Sequence, residues 1–163
     1  MTDRGKKDRS DLTRRDFLRS ATAAGAGMMV SQVAMNQASA GAEDQINVAL
    51  IGAGSEGRVL LNNCLKIPGI RFKAVCDVWS YSQKYASNIL KAYDQPVNVY
   101  DDYREMLASE NDLDAAIIAT PDWVHAPQTE ACLDAGLHVY CEKEMSNTLD
   151  GANRIAKPAE NSN

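Results

Sequence analysis

Between Ile46 and Gly57 the chain constrains its own fold more tightly than anywhere else. An apolar run, Ile46-Asn-Val-Ala-Leu-Ile51, leads directly into Gly52-Ala-Gly54-Ser-Glu-Gly57. Five of the six residues in the run are apolar, as expected of a strand buried on both faces of a parallel sheet. The glycines follow at G-x-G-x-x-G spacing and a helical pattern begins with them. Such a strand–turn–helix receives the pyrophosphate of a dinucleotide. Gly52 allows the tight turn, Gly54 lets backbone approach the phosphates, and Gly57 lets the helix lie close to the strand. Ser55 and Glu56 complete the turn, where free N–H groups and the positive end of the helix dipole favour an anion.

A carboxylate stands at the matching distance. Residues 70–76 read as a second strand, and Asp77 ends it, 23 residues after Gly54. A βαβ unit of this kind places there the acid that accepts the adenosine-ribose hydroxyls. A carboxylate repels a 2′-phosphate, and Val78 and Trp79 supply no cation, so NAD is expected over NADP. Lys84 and Arg58 are close enough in sequence to keep NADP open. The competing reading of Asp77 is a strand-capping acid in an α/β domain with another ligand, such as a methyltransferase.

The first forty residues read as a targeting segment rather than part of the fold. Polar and basic residues lead to Thr13-Arg14-Arg15-Asp16-Phe17-Leu18-Arg19, then to a weakly apolar Ala/Gly-rich run and Ala38-Ser39-Ala40. This order resembles a twin-arginine translocation signal with its cleavage site, implying export to the periplasm or beyond. The apolar run is too short for a transmembrane helix, so no membrane association beyond export is expected. This segment holds seven Lys/Arg and four Asp/Glu, leaving ten and eighteen in the other 123 residues, a net charge of −8. An acidic body with no basic cluster argues against nucleic acid as a partner. The body is long enough for one domain, not two. Cys64, Cys76, Cys132 and Cys141 have no metal-binding spacing, so no metal is expected. Buried thiols are the simplest reading, with a disulfide open in an oxidising compartment.

Beyond Asp77, helix and strand signals alternate. A helix is expected over 80–92, a short strand over 97–100, and a helix capped by Asp101 or Asp102 with Glu105 in the capping-box position. Residues 114–119 read as a strand. Asp122 is expected to cap a helix reaching about Ala135, with Gly136 as its C′ residue. Residues 137–141 read as a fifth strand and 149–157 as a last helix, stopped by Pro158 and followed by a disordered tail, 159–163. The expected architecture is a doubly wound parallel α/β sheet, a Rossmann fold of about five strands over residues 41–158. Ligands of such sheets bind beyond the carboxyl ends of the strands. There the glycine turn, Asp77, Thr120-Pro121-Asp122-Trp123-Val124-His125 and Glu142-Lys143-Glu144 converge.

With Val48–Gly57, Asp77, Ala119-Thr120-Pro121-Asp122-x-x-His125 and Cys141-Glu142-Lys143 in order, residues 46 to about 157 resemble the N-terminal domain of the glucose–fructose oxidoreductase and inositol dehydrogenase family (Gfo/Idh/MocA). The resemblance implies a tightly held NAD(P) and hydride transfer to or from a sugar or polyol. It implies that Thr120, Pro121 and His125 flank the nicotinamide half of the cofactor. Lys143, beside Glu142, would stand next to the ring as the catalytic residue that positions or polarises a substrate hydroxyl. Read without the family, His125 serves equally as a packing residue with one satisfied nitrogen. Lys143 reads as a solvated strand-end charge, and Trp79 and Trp123 as packing at helix starts.

The chain departs from that family pattern in two places. Glu144 stands where the family's motif has proline, so the Lys143–Glu144 bond is expected to be trans. The family also continues into a second α/β domain that completes the substrate pocket, and the sequence ends without one. Three readings follow: a truncated dinucleotide-binding domain inactive alone, half of an enzyme completed by another chain or by a homo-oligomer, or a non-catalytic nucleotide- or partner-binding module.

Overall fold

The computed structural model describes residues 45–161. The expected twin-arginine segment and residues 162–163 lie outside them. Ten elements alternate: β1 (Ile46–Ile51), α1 (Ser55–Cys64), β2 (Ile70–Cys76), α2 (Ser80–Ala92), β3 (Asn98–Tyr100), α3 (Tyr103–Ser109), β4 (Ala115–Ile118), α4 (Asp122–Asp134), β5 (His138–Cys141) and α5 (Leu149–Asn161). The strands form one parallel sheet in the order β3-β2-β1-β4-β5. β1 therefore lies at the centre and the strand order reverses beside it, which opens a crevice between the loops that leave β1 and β4.

Both faces of the sheet are covered. Val48, Leu50, Phe72 and Val75 pack with Leu61 of α1 and Ala86 and Leu90 of α2. On the other face Ala49, Ile51, Ala74 and Ile118 pack with Met106 of α3 and Cys132 of α4. Alternate residues of β1 thus enter different cores, which is why its sequence shows a run rather than an alternation. The doubly wound reading holds. An apolar groove of about 430 Å³ remains over the first face at the β4–β5 side, lined by Ile46, Leu60, Cys64, Ile117, Val139 and Tyr140. Among the described residues no helix is long and apolar enough to cross a membrane.

Local signals acted as expected in several places. Asp102 caps α3, accepting the Arg104 N–H at 2.8 Å, and Gly136 follows α4 with φ +81°. Two expectations about helix ends fail. Pro121, not Asp122, is the N-cap of α4, with no side-chain cap bond. Its extended backbone starts the helix one residue early and leaves Asp122 in the first turn, where a negative charge still suits the dipole. Pro158 does not end α5, and residues 159–161 of the expected disordered tail are helical. A proline removes one N–H and crowds the preceding turn. Here α5 nonetheless packs on α4, with Ile155 buried and Arg154 paired with Glu130.

The four thiols are free. Burial pushes Cys76 and Cys132 up to about 12, which strongly disfavours the reactive thiolate at pH 8. Cys64 and Cys141 are only partly buried. A chromogenic disulfide reagent at pH 8 is expected to label at most Cys64 and Cys141 in the native protein, and all four after denaturation. Rapid native labelling of Cys132 would show that α4 does not seal this core.

Candidate functional site

The loops at the carboxyl ends of β1, β2, β3 and β4 enclose a cavity of about 450 Å³. Gly52, Gly54, Asp77, Thr120 and Pro121 line it. Backbone geometry explains the glycines. Gly52 has φ +91°, and a Cβ there would lie 2.7 Å from the Ala119 carbonyl. A Cβ on Gly57 would lie 1.9 Å from the Gly52 carbonyl oxygen, so α1 can approach β1 only without one. Gly54 is different: a Cβ would meet no atom within 4 Å. Its missing side chain leaves open space at the start of a helix that no side chain caps. The first-turn N–H groups of α1, those of Ser55, Glu56 and Gly57, therefore stay available to an anion. A pyrophosphate fits that cradle.

Asp77 is held rather than free. Its Oδ2 accepts the Ala53 N–H at 2.7 Å and its Oδ1 accepts the Trp79 N–H at 2.8 Å. The first bond ties the carboxylate to the glycine turn, and the second ties it to the start of α2. An ionised carboxylate has about four acceptor positions, so each oxygen keeps room for a ligand hydroxyl. Arg58, one of the two cations able to favour NADP, is engaged elsewhere. Its Nε donates to the Ala53 carbonyl at 3.0 Å, and its guanidinium lies 4.1 Å from the centre of the Tyr85 ring. Trp79 and Trp123 are 62% and 65% exposed, so neither is core packing. Trp123 lines the cavity.

The β4–α4 turn and the loop after β5 meet at His125. His125 is 1% exposed. Its Nε2 lies 2.6 Å from the Thr120 carbonyl oxygen and its Nδ1 lies 2.7 Å from the Glu144 carbonyl oxygen. Both neighbours are acceptors, so a neutral ring donates to one at a time and a ring with a proton on each nitrogen donates to both. The Lys143–Glu144 peptide bond is cis, contrary to the sequence expectation, with the Glu144 carbonyl turned to His125.

Lys143 projects outward. Its side chain is 86% exposed, and its Nζ lies 3.5 Å from Glu142 Oε2. Glu142 is better held: its carboxylate accepts the Lys143 N–H at 3.0 Å and the Tyr140 hydroxyl at 3.1 Å. Those two donors, the backbone one first, keep its carboxyl below the usual carboxylate range. Glu142, Lys143 and His125 stand beside the cavity and do not form its wall.

Two site residues escaped the sequence reading. Gln128 lines the cavity and accepts the Thr120 hydroxyl at 2.6 Å. Its signal was a polar residue one turn beyond His125 on a buried helix face. Gln83 donates from Nε2 to the Asp77 carbonyl at 2.6 Å and also to Asp101, fixing the rim where β2 and β3 end. Nothing in its sequence context marks it.

Residues 46–163 match the model of an oxidoreductase family with an NAD-binding Rossmann fold, Gfo/Idh/MocA. The chain is 33% identical over 113 residues to an inositol 2-dehydrogenase/D-chiro-inositol 3-dehydrogenase of Shouchella clausii, covering 69% of this chain and 32% of that protein. It is 28% identical over 172 aligned positions to a glycosyl hydrolase family 109 protein of Shewanella baltica, covering 92% of this chain and 37% of that one. Among solved structures, the WlbA dehydrogenase of Chromobacterium violaceum, in complex with NADH and UDP-GlcNAcA, superimposes with a TM-score of 0.64 at 26% identity, covering 73% of this chain and 33% of that one. The chain thus spans about a third of the length of the curated relatives it matches.

Proposed function

Because the chain belongs to the Gfo/Idh/MocA oxidoreductase family, whose NAD(P)-binding Rossmann domain it contains, we propose that it takes NAD in preference to NADP and serves hydride transfer to or from a carbohydrate or polyol. The Asp77 carboxylate carries the cofactor preference. It is fixed by two backbone N–H groups where a 2′-phosphate would have to stand, and Arg58 is tied to the Ala53 carbonyl. The carbohydrate class is favoured by the relatives, which include an inositol dehydrogenase and a dehydrogenase complexed with a nucleotide sugar.

The glycine turn and the start of α1 would hold the pyrophosphate, and Asp77 the adenosine ribose. Thr120, Pro121 and the Glu142–Lys143 segment would flank the nicotinamide half. A nicotinamide bound there would supply the hydride chemistry. An ammonium at Lys143 orients a substrate hydroxyl and stabilises negative charge on its oxygen. Fast transfer also requires a wall that orients the substrate and excludes water. The described residues do not form one, so turnover is assigned to this domain together with a completing domain or chain.

Export by the twin-arginine route belongs to the same proposal. Arg14-Arg15, the apolar run and Ala38-Ser39-Ala40 support it, and the route suits a domain that carries its cofactor out already folded. The test is to express the full chain in a bacterium, isolate the periplasmic fraction, denature the purified protein and assay the released nucleotide. The expected result is processed protein carrying close to one NAD(H) per chain. Protein confined to the cytoplasm overturns export. Folded protein that neither carries nor binds NAD overturns the cofactor reading.

A further inference from the structure

His125 is buried, and both of its nitrogens face protein carbonyls. It therefore has no polar atom left to offer a ligand, and its action must pass through what it holds. On one side is Thr120, in the turn that lines the cavity. On the other is Glu144, the residue next to Lys143.

Lys143 needs such support. Its side chain is solvated, and among the described residues its ion pair is the 3.5 Å contact with Glu142, which leaves the ammonium end in water and fixes a long side chain weakly. Its backbone is anchored on both sides instead. The Glu142 N–H donates to the Ile118 carbonyl at 2.9 Å, the last bond of the β4–β5 ladder. The Glu144 carbonyl is taken by His125. Both anchors lead to the end of β4 and the turn after it. The ring reaches both carbonyls, and it donates to Glu144 whenever Nδ1 carries the proton.

We infer that His125 is a positioning residue: it ties the Glu144 carbonyl to the β4–α4 turn and so fixes where Lys143 stands at the nicotinamide end of the cavity. The link from Lys143 to a nicotinamide rests on the function proposed above, whereas the tie itself does not.

Two amides separate the ring's two contacts. Asparagine carries an N–H donor near the position of Nδ1 and glutamine one near that of Nε2. His125→Asn therefore keeps the Glu144 contact, and His125→Gln keeps only the Thr120 contact. Two measurements on the purified chain follow: hydrogen exchange of the backbone amides from Met145 to Gly151, and titration with NAD and with ADP-ribose, which lacks the nicotinamide.

For the loss of one hydrogen bond, exchange in His125→Gln is expected to be about fivefold faster than in wild type, with His125→Asn within about twofold. NAD affinity is expected to fall by about the same factor in His125→Gln while ADP-ribose binding holds. Equal exchange in the two variants overturns the tie. So does faster exchange throughout α4, which marks general loosening from loss of a buried ring. Equal weakening of NAD and ADP-ribose overturns the positioning of Lys143. If wild type binds neither nucleotide, the cofactor reading fails and the role for Lys143 falls with it. Exchange alone then decides the tie.

Discussion

Gly57→Ala is expected to lower the melting temperature by roughly 10–20 °C, because an added Cβ falls on backbone and overpacking of this kind costs about 3 kcal/mol. The atom it meets is the Gly52 carbonyl oxygen, 1.9 Å away. Gly52 cannot yield, since its own φ of +91° and its approach to Ala119 fix the turn. Relief requires α1 to leave β1, which opens the core around Leu61. Gly54→Val is the counterpart. Its backbone is extended rather than left-handed, and its Cβ meets nothing, so the fold should tolerate valine while the pyrophosphate cradle fills. Thermal melts and NAD titrations of both variants separate the two roles. Equal melting temperatures would refute the steric argument for Gly57. Undiminished NAD binding by Gly54→Val would place the phosphates elsewhere.

Asp77→Asn should be a severe change despite its small size. Both carboxylate oxygens accept backbone N–H groups, so an amide must turn its NH2 toward either Ala53 N–H or Trp79 N–H. The substitution also removes the charge that accepts ribose hydroxyls, and bonds to a charged group are worth about 1.5–3 kcal/mol each. NAD affinity is expected to fall on the order of 100-fold for one such bond and the misfit. NADP affinity should fall less, because the repulsion of its 2′-phosphate is relieved. Calorimetric titration of both nucleotides, with circular dichroism as a control on folding, gives the ratio. An unchanged ratio of NAD to NADP affinity would remove Asp77 from the ribose site.

The residues readable in the sequence are those whose role is local or periodic. β2 over 70–76 and α2 over 80–92 were marked by apolar spacing, and Asp102 and Gly136 by their capping chemistry. The glycine turn was legible because close backbone approach leaves only one residue type. What escaped depends on partners distant in sequence. Gln83 reaches the ends of two other strands, and nothing on α2 announces that. His125 could be picked out by motif, but its second acceptor lies 19 residues away. Pro158 misled because helix propensity was weighed without the packing of α5 on α4. The bond after Lys143 is cis although residue preference pointed to trans.

The strand order has a consequence in time. β1 is the centre of the sheet, yet its second neighbour, β4, comes much later: Val48 pairs with Ala115, 67 residues on. At about 5–20 residues per second, a ribosome needs roughly 3–13 s to supply that partner after β1. Throughout that interval the first half of the domain holds a strand with one bare edge, open to pairing with any other exposed strand. The sheet is therefore complete only once β4 has been made, and whatever captures the chain earlier meets an unfinished domain.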